Sequence, residues 1–488
     1  MEVVSVVPIF MSAGAAVLPT ILVGLAQVGA VLLKPRELLR VCREKPLVPL
    51  IALMAVAVLG VSTWWFLRPA PAQAATHGDG LRPPGAPDWA EVASKIIHRG
   101  EWSYKPADSV VMFLSSPAVA GNRVYAAGCR VSAAGLIGVL ACLDGSSNGA
   151  VIWEKTDAGD DLLRPFFSSP ALTKDGKYLI VGEGLHEDRD CSLLCFDTAT
   201  GELRWRARTP LHIESSPAIF GDMAVAGAGA IEDASHRATG DPGFVIAVRI
   251  SDGTRLWQYA VNDPESSPAI DDQGIVYIGS GFNGNAVVAL RSESDEELRA
   301  KNLNRVLWRT SIAFPATGAI TLVGDLVIAG AGNSDYVNAD PHPQGVVVAL
   351  DRKTGQPRWQ TKLDDAVLGA IAHYQDKLIC PVRTGEVVAL NIADGKMLWH
   401  TPISGHAPVL AGCVLDGPDV YAVSSDGYLA RLDAATGRIL GENRKINDPV
   451  NPGTGKTMST PRVVGGRVFV GTETGGMRCL LGARPANE

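Results

Sequence analysis

Residues 347–359 read VVALDRKTGQPRW, and residues 387–399 read VVALNIADGKMLW. Each is an apolar run, a short polar turn holding a glycine, and a tryptophan. The repetition extends well beyond this pair. Aligned on the indole, the chain carries Trp102, Trp153, Trp205, Trp257, Trp308, Trp359 and Trp399, at intervals of 51, 52, 52, 51, 51 and 40 residues. A fixed period of this size marks a repeat architecture. Within each unit apolar residues alternate at period two, as in KYLIVGEG (177–184) and SLLCFD (192–197), and helical periodicity is nearly absent. Each unit is therefore predicted to be a four-stranded antiparallel sheet, and a ring of such sheets is a β-propeller.

Individual positions have physical roles in this reading. SSPA recurs at Ser115–Ala118, Ser168–Ala171, Ser215–Ala218 and Ser266–Ala269. Its Pro stands where a strand begins, the place a sheet tolerates a missing donor. In DRKTGQPRW and DTATGELRW, Asp351 and Asp197 are placed to bond turn amides, and Gly355 and Gly201 to supply a positive-φ corner. The Trp eight residues after the Asp is predicted on the outermost strand, buried against the neighbouring blade with its N–H on a carbonyl. Position 441, the seventh such site, holds Gly. The last unit, STPRVVGGRVFVGTETGGMRCLLG (459–482), supplies three strands and no Trp strand. Trp102, one period before Trp153, predicts an N-terminal strand that completes the final blade and hides its edges. The expected fold is all-β: an eight-bladed propeller over residues 100–482, with a tail at 483–488.

Upstream, residues 3–33 and 47–67 carry no charge. Each is long enough to cross a bilayer as a helix. The connector between them, 34–46, holds Lys34, Arg36, Arg40, Arg43 and Lys45. The positive-inside rule places that loop in the cytoplasm and both chain ends outside. The start MEVV lacks a basic region, which counts against cleavage of the first segment as a signal peptide. The Ala-x-Ala at Ala72 and Ala74 leaves cleavage after the second segment open. Residues 68–99 are expected to form a Pro/Ala/Gly-rich tether with a short helix. A mean hydropathy of +0.13 follows from these segments. The net charge of -7 and the lack of basic clusters argue against nucleic-acid binding. The expected location is the bacterial inner membrane, with the propeller on the extracytoplasmic side.

The Ala-x-Asp-x-x-Thr-Gly-x-x-x-Trp pattern, complete at Ala349–Trp359, resembles the tryptophan-docking motif of pyrroloquinoline-quinone (PQQ)-type propellers. That group includes quinoprotein dehydrogenases and the noncatalytic BamB-like proteins of the bacterial envelope, and the resemblance covers about residues 100–482. It implies either a binding or scaffold module, with an envelope protein or peptide as partner, or a PQQ- and calcium-dependent oxidoreductase acting on alcohols or sugars. Enzymes of the group carry two adjacent cysteines over the cofactor. This chain has no Cys-Cys pair and no C-x-x-C-H haem motif, and no cofactor residue of the group maps onto it. The scaffold reading is therefore favoured. Seven of the eight cysteines lie in the exported part, an odd number that implies no complete disulfide framework. Cys142, Cys195 and Cys479 occupy the slot held elsewhere by alanine and are expected to be buried spacers.

Two motifs are discounted. GSGFNG (279–284) lies between strands, with no helix to present its amides to a phosphate. GTGKT (453–457) mimics a P-loop, but position 450 is Val where the pattern needs Gly. A blade-4 insertion, SESDEELRAKNLN (292–304), is expected to be a short solvated helix. The loops between second and third strands are minimal in blades 6–8 and long in blades 2, 3 and 5. They carry His186, Glu187, Asp190, Asp233, His236, Asp335, Asp340 and His342 on one face of the ring. Such carboxylates and imidazoles either cap their own turns or ligate a divalent cation such as calcium.

Overall fold

The structure, a computed structural model, describes residues 101–106, 111–133, 135–146, 148–230, 242–405, 407–441 and 443–482. The two expected membrane spans, their connector and the tether lie outside these residues. Among the described residues no helix is long and apolar enough to cross a membrane.

Eight antiparallel sheets of four or five strands follow one another along the described chain, with a two-stranded ladder of Asp157–Ala158 and Asp161–Leu162 after the first. The fifth is typical: Thr321–Val323, Leu326–Gly332, Gly345–Asp351 and Pro357–Leu363 pair in sequence order. In its third strand Val346, Val348 and Leu350 pack against the fourth sheet, while Val347 and Ala349 pack against the sixth. Both faces are thus buried, which is why GVVVALD is a continuous apolar run and does not alternate with polar residues. Burying a Val or Leu of this kind stabilises by about 1.5–3 kcal/mol.

The outer edge is built from the repeated sentence. Opposite each tryptophan the register places a small residue: Cys142 with Trp153, Cys195 with Trp205, Ala349 with Trp359, Ala389 with Trp399. The ladder bulges immediately afterwards in each of these pairs. The indole then leans onto the next blade. Trp153 Nε1 donates to Thr198 O at 3.1 Å, Trp205 to Ile250 O at 2.6 Å, Trp308 to Arg352 O at 3.0 Å, Trp359 to Ile392 O at 2.7 Å and Trp399 to Ala434 O at 3.3 Å. The glycine of the turn has a second reason to be glycine: a Cβ on Gly201 would lie 2.7 Å from the Trp153 ring, and one on Gly355 2.6 Å from Trp308. The aspartate caps the turn as expected, with Asp351 Oδ1 accepting from the Thr354 amide at 2.9 Å. The Arg358 guanidinium and Thr354 hold its carboxyl below the usual carboxylate range.

Blade 4 departs from this pattern. Its insertion forms α1 (Asp295–Lys301), N-capped by Ser294 in a capping box with Glu297. The element is less solvated than its sequence suggests. It buries Leu298, and Arg305 stacks 4.5 Å above the Trp257 ring while pairing with Asp295 at 2.6 Å. Trp257 Nε1 still finds a blade-4 carbonyl, Ser292 O at 2.9 Å.

At the axis, the SSPA serines have a role that strand propensity does not reveal. Ser116 N donates to Ser169 Oγ at 2.9 Å, Ser169 N to Ser216 Oγ at 2.9 Å, and Ser216 N to Ser267 Oγ at 3.1 Å. Each hydroxyl stitches the innermost turn of one blade to the next. The series continues across the chain's ends, because Gly412 N donates to Thr460 Oγ1 at 2.8 Å and Thr460 N to Ser116 Oγ at 2.9 Å.

In the eighth sheet, Trp102–Tyr104 pairs with Met477–Leu481, with Trp102 opposite Cys479. Its indole lies against Gly149 of blade 1, where a Cβ would come within 2.4 Å. Trp102 Nε1 has no hydrogen-bond partner among the described residues. Arg467 takes over that bond, donating to Gly145 O at 3.1 Å and Ser146 O at 3.3 Å.

Candidate functional site

One residue precedes each innermost turn, and the strand registers make these eight positions equivalent. They are Leu114, Phe167, Glu214, Glu265, Thr317, Leu368, Leu410 and Met458. Two adjacent members are acids and most of the others are apolar. Leu114, Leu368 and Leu410 are buried, and Phe167 and Met458 pack against them, so these axial positions are lined by hydrocarbon. Tyr336, from the blade-5 loop, packs against this lining and donates from its hydroxyl to Leu368 O at 2.8 Å. Burial, with the neighbouring Glu265 and Glu214 carboxylates, pushes the Tyr336 pKa upward.

On the acidic side two imidazoles complete a cluster. His186 comes from the blade-2 loop, and His212 lies two residues before Glu214 in LHIESSPA. Glu265 Oε1 is 2.9 Å from His186 Nδ1 and 3.1 Å from His212 Nε2. Glu214 Oε1 is 3.6 Å from His186 Nδ1. The rings meet edge to face, with centroids 5.4 Å apart. Burial opposes ionisation of Glu265, but the His186 and His212 rings outweigh it and hold the carboxyl well below its usual range.

The seat of His212 is backbone-made. The side chain is fully buried. A Cβ on Gly229 would lie 2.4 Å from its Nε2, and one on Gly184 3.0 Å from its Cβ. His212 Nδ1 has no hydrogen-bond partner among the described residues. Exposure rises toward the mouth, from 10% for the Glu265 side chain through 15% for Glu214 to 29% for His186. His186 is therefore the member of the cluster most open to solvent.

Of the eight loop residues named from sequence, His186 is the one that enters this cluster. Asp190 (φ 53°) and Glu187 are exposed beside it. Asp335 caps its own loop, accepting from the Val337 amide at 2.7 Å and the Asn338 amide at 2.5 Å, and the loop is held from behind by Arg383 Nε on Asp335 O at 2.8 Å. Asp340 accepts from the His342 amide at 2.8 Å, and His342 is exposed. Asp233 and His236 lie outside the described residues. The members that sequence reasoning missed, His212, Glu214 and Glu265, sit beside the SSPA repeat. Their signal is a departure from the repeat: acids at a position where the other blades carry Leu, Phe, Met or Thr.

The two glycine-rich motifs bind carboxylates of the chain itself. Glu473, buried, accepts from the Thr454 amide at 2.8 Å, the Thr454 hydroxyl at 2.6 Å and the Lys456 amide at 2.9 Å, so GTGKT encloses an internal anion. In GSGFNG the Phe282 amide donates to Asp263 Oδ2 at 3.0 Å, and the Ala230 amide to Asp263 Oδ1 at 3.1 Å. All seven described cysteines are buried and unbridged.

A sequence profile of the family described as outer membrane protein assembly factor BamB matches residues 137–344 and 343–484. The chain is 24% identical over 321 residues to outer membrane protein assembly factor BamB of Burkholderia pseudomallei (strain K96243), covering 63% of this chain and 71% of that one. To the protein of the same description from Yersinia pestis it is 26% identical over 324 residues, 61% and 70% of the two chains. Among solved structures, BamB from Moraxella catarrhalis superposes with a TM-score of 0.56 at 17% identity, covering 79% of this chain and 99% of that one. A quinohemoprotein alcohol dehydrogenase from Comamonas testosteroni does so with a TM-score of 0.53 at 15% identity, covering 80% and 77%. Likeness at these identities speaks to the fold.

Proposed function

The chain belongs to the family of outer membrane protein assembly factor BamB, and on that premise we propose that it is a membrane-anchored, extracytoplasmic propeller serving as a binding or scaffold module in the bacterial cell envelope. Its partner is an envelope protein or peptide. The N-terminal helices hold it in the inner membrane, and the N-terminal strand closes the ring. The pairing of Trp102–Tyr104 with the last strand supports that closure.

The observation that carries the binding reading over an enzymatic one is the centre of the ring. A flat quinone on the axis would meet Leu114, Leu368 and Leu410, whose side chains are buried in apolar clusters and offer its carbonyls and carboxylates no polar partner. No two cysteines adjoin in sequence to sit over it. These residues do not fit PQQ, and no redox step is derived for them. What the ring offers a partner is its perimeter of exposed turns and the built-up loops of one face.

Two measurements test this. Adding PQQ and calcium to the purified full-length chain and following dye reduction with alcohols and sugars is expected to give no turnover; sustained turnover would overturn the scaffold reading. Alkaline phosphatase fused after Ala75 is expected to be active, and fused after Cys42 silent. The reverse pattern would invert the proposed topology.

A further inference from the structure

We propose that His186, His212, Glu214 and Glu265 form a binding site for a divalent transition-metal ion of the zinc class at the mouth of the ring. The donor atoms already stand near ligand separations. Zinc takes imidazole nitrogen and carboxylate oxygen at about 2.0–2.2 Å in tetrahedral geometry, which sets the edges between ligand atoms at about 3.4 Å. The edges present here measure 2.9, 3.1 and 3.6 Å. One ligand atom each from His186, His212 and Glu214 lies within 4.8 Å of the others. These three separations lie within about half an ångström of that edge, and an ion would draw the remaining ligand atoms, up to 4.8 Å apart among His186, His212 and Glu214, inward.

The charge and the donor chemistry agree. Two carboxylates bring two negative charges into a largely buried place, and a divalent ion neutralises both. Two imidazoles select a borderline metal over calcium, which prefers six to eight oxygens. The seat is also built for a ring and not merely tolerant of one. Glycines at 184 and 229 clear the space His212 occupies and leave its Nε2 facing Glu265. The four residues come from the second, third and fourth blades, so the ion would clamp three neighbouring sheets at the one sector of the axis where the apolar lining is interrupted. This site does not depend on the identity of the envelope partner, and its test does not involve one.

The test uses the full-length chain, purified in detergent through a histidine-free tag and stripped with chelator. Zinc content after dialysis, the visible spectrum of the cobalt-substituted protein and the melting temperature are measured for the wild type, His186→Ala, Glu214→Gln and Asp340→Ala. The two ligand positions are partly exposed, so both variants are expected to fold, and their melting curves without metal verify it. The expected result is one zinc per chain, an intense four-coordinate cobalt spectrum and a zinc-dependent rise in melting temperature for wild type and Asp340→Ala. Since losing even an outer-shell partner typically weakens metal sites 10–100-fold, losing a ligand is expected to weaken this one by at least about 100-fold. Wild-type protein that takes up no zinc, or folded His186→Ala and Glu214→Gln that bind it as tightly as wild type, would overturn the proposal. So would a preference for calcium.

Discussion

Trp205 illustrates how much one side chain does at the rim. Its ring fills the space over Gly253 of the next blade and its N–H bonds Ile250 O at 2.6 Å. Trp205→Ala is expected to cost about 3–5 kcal/mol, the range for truncating a buried aromatic. Trp205→Phe keeps most of the packing and strands one carbonyl, so about 1 kcal/mol is expected. Chemical denaturation of the two variants measures the difference, and equal losses would mean that the hydrogen bond dominates. A second residue-level prediction concerns Glu183, a buried acid whose pKa burial raises against the pull of the Arg164 amide and Arg206. For an acid raised in the folded state, the unfolded chain ionises first as pH increases. Stability is therefore lost as pH climbs from the ordinary carboxylate value, about 4.3, toward the raised one. Glu183→Gln removes that loss, so the variant's melting temperature is expected to fall less than wild type across this window. Parallel pH profiles would show that Glu183 is not raised.

At the scale of elements, the loops decide what the repeats leave open. The GTGKT loop is folded around Glu473, with Gly453 and Gly455 both at positive φ. Glu473→Ala leaves several amides without an acceptor, and each such group left buried costs roughly 1–3 kcal/mol. Hydrogen exchange is expected to accelerate at Thr454 and Lys456 while the sheet of blade 8 stays protected; unchanged exchange would assign the loop's order to another source. These loops also mark where sequence reading succeeded and where it stopped. The blades were legible because each has a period, a Trp and a glycine turn whose physical demands are local. The discounting of GTGKT was legible from its spacing, but its occupant was not, because Glu473 approaches from 17 to 19 residues away through the turn of a sheet. The cluster at the axis was half-legible. His186 stands out in a long loop, whereas Glu214 and Glu265 become neighbours through blade-to-blade registry, which no single repeat encodes. The signal for them lies beside SSPA, where two acids depart from a mostly apolar set of positions.

For the whole molecule, the decisive feature is the seam between the last blade and the first. It is held at several radii at once. Near the axis Thr460 N bonds Ser116 Oγ at 2.9 Å. Farther out Trp102 lies on Gly149, Tyr104 donates its hydroxyl to Glu154, and Arg467 reaches two blade-1 carbonyls. The seventh blade, which has Gly441 where the others have Trp, is tied to the same strand by Arg444, whose Nη2 donates to Glu101 Oε2 at 2.8 Å. Glu101 also accepts from the Leu481 amide at 2.9 Å. On the closure proposed above, a ring whose sheets otherwise touch mainly their sequence neighbours would depend on this contact, since an open seam exposes two edges able to pair with other chains. Deleting residues 101–106 from the full-length chain is therefore expected to abolish a single cooperative melt and to produce oligomers on sizing. Glu101→Gln together with Trp102→Ala should lower the melting temperature without removing the strand. Replacing Asp295–Lys301 by a short Gly/Ser loop, which loses Leu298 and the Asp295 partner of Arg305, should cost less than the deletion and leave the protein monomeric. Equal damage from the deletion and the loop replacement would show that the N-terminal strand contributes no more to the ring than a surface helix does.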